Sequence, residues 1–284
     1  MYNLPMENEL KTIAITGSTG GIGREIAFEL AKLGKNLIFV DRNLKKTEAL
    51  KEDIKRIYPQ TDIKYVLNDL SDFALVKKAV EQLRNMEFDA LILNAGLYNT
   101  KLEILDSGYN NIFQTNFLYQ YYLARKLVEA KKIKKIVVTG SIAYKMSKLN
   151  KNDIDYSACK SQNKIYSNSK KFLMISLIDL CKKTGTRLSI AHPGITLTSL
   201  TAHFPKSINW FVKGFMKLFF ISPKKASKNI VYGLLNDYSF DEWVGPKVFN
   251  IWGKPKIKKL KFIKTEKEKI PMIANKMFDE LCEK

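Results

Sequence analysis

The 284-residue chain has only three cysteines and two histidines, and no run of about 18 uncharged apolar residues. Each scarcity excludes something. Cys159, Cys181 and Cys282 stand at neither metal-ligand nor disulfide-framework spacing, so reduced structural thiols are expected and no metal site. The missing apolar run argues against a transmembrane helix. Residues Met1–Leu10 lack the basic and then apolar order of a signal peptide, from which a cytoplasmic protein is expected. No internal repeat and no long Gly/Ser/Pro linker divides the chain. A single domain over 1–284 is therefore expected, with its core at about 11–200 and a lid and C-terminal extension at about 201–284.

Arginine is scarce as well. Arg24, Arg42, Arg56, Arg84, Arg125 and Arg187 are scattered, and no nucleic-acid module is recognisable. Lysine supplies the positive charge instead: 48 Lys+Arg against 28 Asp+Glu leave a net +20. The segment Lys254–Lys269 alone holds eight lysines, and residues 206–284 hold 17 against eight acids. This reads as a solvated lysine surface with no specific nucleic-acid partner. Apolar residues make up 45% of the chain, enough to bury a real core.

Short apolar runs alternate with amphipathic stretches. Thr12–Thr16, Asn36–Val40, Ile63–Leu67, Ala90–Leu93, Lys135–Thr139 and Arg187–Ala191 read as strands. Ile22–Leu33, Leu44–Tyr58, Phe73–Arg84, Tyr109–Ala130 and Ile165–Lys183 read as helices between them. Parallel neighbours need crossover connections, so this alternation predicts an α/β fold, a Rossmann-like doubly wound parallel sheet with helices on both faces. After Leu200 the pattern changes, and the apolar and lysine-rich segments there read as additions at the rim or end of the sheet.

Thr16-Gly17-Ser18-Thr19-Gly20-Gly21-Ile22-Gly23 stands between the first strand and the first helix. Glycines there let the backbone turn tightly and approach a pyrophosphate, while the helix N-terminus offers free N–H groups and partial positive charge. The spacing Gly17, Gly21, Gly23 resembles that of the short-chain dehydrogenase/reductase family, and the resemblance continues in order along the chain. Asn68-Asp69-Leu70 follows the third strand, where the family places an Asp against the adenine. Asn94-Ala95-Gly96 follows the fourth and matches the family's NAG turn, with Leu93 in place of the frequent first Asn. Asn116 matches the helix Asn that holds a proton-relay water. Ser141, in Thr139-Gly140-Ser141, stands where the catalytic Ser belongs. His192-Pro193-Gly194 ends the sixth strand, and Thr198 fits the pattern PG-x-x-x-T around the nicotinamide.

Carbonyl reduction requires a proton for the developing alkoxide, and tyrosine delivers it readily only if its pKa of about 10 is drawn towards neutrality. A lysine four residues later on the same helix face favours the phenolate. Tyr-x-x-x-Lys occurs twice, as Tyr156–Lys160 and Tyr166–Lys170. Tyr166 is the reading adopted, because it opens an amphipathic stretch long enough for a central helix and Ser169 completes a YxxSK pattern. The gap from Ser141 to Tyr166 is longer than is usual in the family. That insertion, with the YxxSK and HPG signatures, places the nearest resemblance in the retinol-dehydrogenase-like branch. Tyr156 is then expected as a wall or surface residue.

The resemblance implies an NAD(P)-dependent oxidoreductase interconverting an alcohol and a ketone or aldehyde, on an apolar substrate. Asn116, Ser141, Tyr166 and Lys170 would be catalytic. Gly17, Ser18, Thr19, Gly21, Ile22, Gly23, Asp41, Arg42, Asp69, Leu70, Asn94, Ala95, Gly96, Tyr166, Lys170, Pro193, Gly194, Ile195 and Thr198 would hold the cofactor. Asp41 suits the ribose hydroxyls of NAD, whereas Arg42 suits the 2′-phosphate of NADP. Gly20 stands where many NADP-preferring relatives carry Arg or Lys, so the choice leans to NAD and stays open. Pro205–Ile221 reads as an amphipathic helix, with Lys206, Lys213 and Lys217 opposite Ile208, Phe211, Phe215 and Phe219. It is expected as a substrate lid, with peripheral membrane contact as the alternative. A homodimer through the helices near 109–130 and 165–183 is a further expectation from the family. The competing function is a non-catalytic dinucleotide-binding protein acting through a basic or membrane-facing surface.

Overall fold

The structure is a computed structural model that describes residues 9–196 and 221–283. Thr198 and residues 205–220, which bear the expected nicotinamide contact and lid, lie outside the described residues.

Strands β1 (Thr12–Thr16), β2 (Asn36–Asp41), β3 (Ile63–Leu67), β4 (Ala90–Leu93), β5 (Lys135–Thr139) and β6 (Arg187–Ala191) run parallel, as the alternation requires. All residues of β4 and β5 are buried, the mark of strands covered on both sides. Successive side chains take opposite faces. Ile13 and Ile15 join the core under α1 (Gly21–Lys32) and α2 (Leu44–Ile57), whereas Ala14 joins the core on the other face. That second face is covered by α3 (Phe73–Arg84), the helix at 111–129 (α4) and α5 (Gln162–Thr184). Asn43 caps α2 by accepting from Lys46 N at 2.9 Å, and Asp72 caps α3 by accepting from Ala74 N at 2.8 Å.

The sheet has eight strands in the order β3-β2-β1-β4-β5-β6-β7-β8, two more than the alternation predicts. β7 (Glu242–Val248) lies parallel to β6, and β8 (Trp252–Lys259) closes the sheet antiparallel to it. Gly245, Pro246 and Pro255 hide these strands in the sequence. The two prolines face one another across the pair, next to a register shift, where a missing N–H is tolerated. The lysine run therefore has a structural explanation. Lys254, Lys256 and Lys259 are exposed on the terminal strand, where positive charge discourages edge-to-edge pairing with another chain.

Helix α6 (Pro223–Leu235) completes the first face, and α7 (Lys264–Cys282) lies on the second, against α4 and α5. Phe278 packs on Tyr122 with the Arg125 guanidinium 3.8 Å from its ring centre, and Tyr121 and Arg125 both donate to Asn275 Oδ1. The helix surface expected to pair two copies thus carries the chain's own α7. The core continues well past residue 200, and among the described residues no helix is long and apolar enough to cross a membrane. Phe278→Ala is expected to destabilise the fold by about 3–5 kcal/mol, as loss of a buried aromatic does. Urea unfolding of the two proteins checks this, and a change below about 1 kcal/mol would mean α7 is not part of the cooperative core.

Candidate active site

The order of strands reverses at β1, which has β2 on one side and β4 on the other. In open α/β sheets the crevice at such a switch point, outside the C-terminal strand ends, is where ligands bind. Here it opens into a cleft of about 900 Å³. Its floor is tied by two side chains. Thr16 Oγ1 accepts from Asn94 N at 3.0 Å and Ala95 N at 3.1 Å. Asn94 Nδ2 donates to Gly17 O at 3.1 Å, and its Oδ1 accepts from Thr139 Oγ1 at 3.3 Å. The ends of β1, β4 and β5 are held together in this way.

The tie explains the glycines. Gly17 has φ +69°, and a Cβ there would sit 2.8 Å from Ala95 Cα; one at Gly23 would sit 2.0 Å from Gly17 O. Gly20 caps α1 without a side-chain hydrogen bond, so the N–H groups of Gly21, Ile22 and Gly23 begin the helix uncapped at the cleft. Backbone donors at a helix N-terminus with no Cβ above them fit a pyrophosphate.

Asn116 sits in a π-turn, Gln114–Leu118, inside α4. Gln120 Nε2 donates to Thr115 O and Asn116 O, carbonyls of that turn, and at 2.9 Å to Ala95 O. The turn brings Asn116 to the segment after β4, where its Oδ1 accepts from Leu97 N at 2.6 Å. Its Nδ2 donates to Leu97 O at 2.8 Å and to Ser169 Oγ at 3.2 Å. The side chain expected to hold a water is thus engaged at both ends, bracing the loop after β4 against α5. A Cβ on Gly96 would stand 3.1 Å from Asn116 Oδ1 and 3.6 Å from Lys170 Nζ, so the backbone after β4 passes close to both side chains.

Ser141 leaves β5 and caps a 3₁₀ turn, Ile142–Met146, by accepting from Ala143 N at 3.2 Å. Tyr166 lies one turn into α5 and lines the same cleft as Ser141, half-buried. Lys170 Nζ lies 5.9 Å from the centre of the Tyr166 ring and donates to Thr139 O at 3.0 Å. Of the two Tyr-x-x-x-Lys pairs, only Tyr166–Lys170 lines the cleft. Tyr156 has φ +59° and its hydroxyl turns to the Lys148 backbone. Desolvation pushes the Tyr166 phenol up, with Ser141 acting in the opposite sense, and burial brings Lys170 down to about 8. Within the chain by itself, desolvation of the phenol outweighs the opposing effect of Ser141.

At the other end of the cleft, Asp41 does not stand free. Ser18 donates to its Oδ2 from both N and Oγ, and Thr19 donates to its Oδ1 from N at 3.4 Å and Oγ1 at 3.2 Å. Arg42 is exposed on the cleft rim and makes no ion pair among the described residues. Asn68 is 4% exposed, and both ends of its amide lack a hydrogen-bond partner among the described residues. An orphaned amide in the cleft lining suits the polar edge of a bound base. Asp69 accepts from Ser71 N and Oγ, and Leu70 packs beneath. Pro193, Gly194 and Ile195 line the opposite side, with Gly194 at φ +94° against Ile221.

Residues 11–209 match the family described as short chain dehydrogenase. The chain belongs to the short-chain dehydrogenase family. It is 36% identical over 121 residues to a short chain dehydrogenase of Aspergillus sclerotiorum, a match spanning 42% of this chain and 34% of that one. With retinol dehydrogenase 13 of Mus musculus it shares 26% over 235 residues, 78% of this chain and 70% of the other. Among solved structures, an uncharacterized protein of Mycobacterium paratuberculosis superposes with a TM-score of 0.72 at 21% identity, covering 97% and 96% of the two chains. L-sorbose reductase from Gluconobacter frateurii, solved with NADPH and L-sorbose, gives 0.61 at 23% identity, covering 80% and 89%.

Several residues of this short-chain dehydrogenase site were not singled out in the sequence. Tyr98 packs edge-on to Tyr166, ring centres 4.8 Å apart, and donates to Asn163 Oδ1 at 2.6 Å. Thr16, Thr139, Gln120 and Asn68 complete the floor. Thr16, Asn68 and Thr139 belong to the motifs at the strand ends without having been given roles, and nothing in the local pattern marks Gln120. His192 stacks on Trp243, and burial lowers its imidazole to about 4, which keeps it neutral. Burying Lys170 without a carboxylate carries a testable cost. Between about pH 8 and 10.5 the unfolded chain holds a proton that the folded chain has released, so stability rises with pH in that window. Lys170→Met is expected to unfold at higher urea than the parent at pH 7, by the order of 1–3 kcal/mol, with the gain shrinking as pH approaches 10.5. A variant less stable at both ends of that range would contradict it.

Proposed function

We propose that the chain is an NADPH-dependent oxidoreductase that reduces a ketone or aldehyde to an alcohol. The observation that carries this reading is the placing of Ser141, Tyr166 and Lys170 at one point of the cleft that begins at the glycine turn. The uncapped N-terminus of α1 and the orphaned Asn68 amide fit a dinucleotide, held by its pyrophosphate and its base. Such a cofactor, when bound, supplies a hydride to the carbonyl carbon.

The chain's own residues do the rest. The hydroxyls of Ser141 and Tyr166 orient the substrate oxygen and stabilise charge gathering on it. The raised phenol of Tyr166 stays protonated at neutral pH, which suits an acid that gives its proton to that oxygen. Lys170, cationic below about pH 8, stabilises the phenolate left behind. Asn116 holds the loop after β4 in place. On the substrate side Ile142, Ala143 and Met146 present an apolar wall, which favours an apolar carbonyl compound.

For the cofactor, the geometry favours NADP over the NAD suggested by Asp41 alone. The Asp41 carboxylate is taken up by Ser18 and Thr19, leaving few acceptor sites for ribose hydroxyls, and Arg42 is open to a 2′-phosphate. NADPH in L-sorbose reductase, a protein of the same fold, is consistent with this.

Two measurements test the proposal. Tyr166→Phe is expected to lower kcat on a carbonyl panel by about 10²–10⁴ while NADPH still binds, since general-acid catalysis contributes about that much. Turnover unaffected by this change removes Tyr166 from the mechanism, and a parent protein that binds NADPH but reduces nothing supports the non-catalytic alternative. Arg42→Gln is expected to weaken NADPH binding by about tenfold or more and NADH binding by less than about twofold, read by fluorescence titration. Equal effects on both cofactors would reject the assignment of the 2′-phosphate.

A further inference from the structure

Two adjacent lysines on α5 have different surroundings. Lys170 lines the cleft; Lys171, 3% exposed, does not. Lys171 Nζ donates to Glu266 Oε1 at 2.8 Å and to Ser147 O. Glu266, 4% exposed in the first turn of α7, also accepts from Leu149 N at 3.0 Å. One buried ion pair therefore joins the helix bearing Tyr166, the C-terminal helix and the segment that follows Ser141.

A second contact holds the same segment. Tyr144 is fully buried, its hydroxyl accepts from Lys261 N at 3.2 Å, and its ring packs on Phe262 at 4.9 Å and Trp243 at 5.9 Å. Residues 141–149 thus rest on the C-terminal part of the chain from behind. From the front they present Ser141, Ile142, Ala143 and Met146 to the cleft.

A desolvated ion pair is a weak source of stability, since apolar residues of similar volume often serve as well or better. What apolar residues lack is direction. The Lys171–Glu266 pair bonds a backbone carbonyl and a backbone N–H two residues apart in sequence, which fixes that stretch in position and orientation.

We propose that Glu266 is a positioning residue: through Lys171 and Leu149 it sets the place of the 141–149 wall, and so selects which carbonyl compounds the cleft accepts. This rests on the oxidoreductase reading above. It gives the C-terminal helix a part in substrate choice although neither member of the pair touches the cleft.

Two variants of the full chain test it. Lys171→Met combined with Glu266→Leu replaces the pair with apolar volume, which keeps the fold, and removes the bonds to Ser147 and Leu149. Glu266→Gln keeps an acceptor for Leu149 N. The double variant is expected to raise KM for the best substrate by about tenfold and to reorder the panel, because small displacements of a positioning wall have effects of that size or larger. Its kcat should fall less, its NADPH affinity should stay within about twofold of the parent's, and Glu266→Gln should retain most of the parental KM. Hydrogen exchange at 142–149 is expected to quicken in the double variant even without substrate. Unchanged KM with an unchanged order of substrates, or unchanged exchange at 142–149, overturns the proposal. A parallel loss of NADPH affinity reports general loosening and overturns it too. Absence of turnover in the parent chain counts instead against the oxidoreductase reading, and the exchange comparison then decides the coupling by itself.

Discussion

The bonds made by Thr16 and Asn94 are the constraint on which the site depends. Parallel strands leave their C-terminal backbone groups unpaired where the chain departs, and at a switch point the two departures are in opposite directions. Thr16 and Asn94 satisfy groups from both, and Thr139 brings the end of β5 into the same cluster. With the strand ends drawn together, Ala95 lies against Gly17, which then tolerates no side chain. The same approach brings the loop after β4 beneath Asn116 and Lys170. The phosphate end and the catalytic end of the cleft are therefore consequences of one cluster of bonds.

Charge burial divides the structure's lysines by task. Desolvation lowers the pKa of Lys170, and its hydrogen-bond partner is an uncharged carbonyl, which leaves its charge available to a neighbour. Lys171 is desolvated against Glu266, so its charge is neutralised locally and serves only to orient. Most other lysines stay in water, and, among the described residues, Lys254 and Lys256 of β8 place unpaired charge on the open edge of the sheet. The net charge of +20 is thus a surface property that bears little on the chemistry of the cleft.

Much of the fold was legible because its signals are local. Strands buried on both faces read as short apolar runs, and helices show their period, so the first six strands and their crossovers were read in order. β7 and β8 were not, since two prolines, two glycines and closely spaced lysines carry no strand signal. They form because β6 offers an edge and the two strands pair with each other. The helix expected over Tyr109–Ala130 is present at 111–129, but its π-turn is not legible. That irregularity is stabilised by Gln120 and by the loop after β4, contacts distant in the chain. Asp41 and Arg42 show the same limit. Their residue types permit either nicotinamide, and the balance moves only once Ser18 and Thr19 are seen to occupy the carboxylate.

By itself, the sequence determined the doubly wound order, the glycine turn and the family, because each depends on residue type and spacing along a short stretch of chain. The sequence favoured Tyr166–Lys170 of the two equally spaced tyrosine–lysine pairs, and the tertiary structure lines the cleft with that pair beside Ser141. Both satisfy the helical spacing, but only Tyr166 lies on a helix packed beside the end of β5, while Tyr156 is turned to Lys148. Tertiary structure alone decided that α7 covers the surface expected for a dimer, and that Glu266 reaches the wall beside the cleft. Such relations rest on contacts between residues distant in sequence, and no local pattern encodes where a folded chain will bring them together.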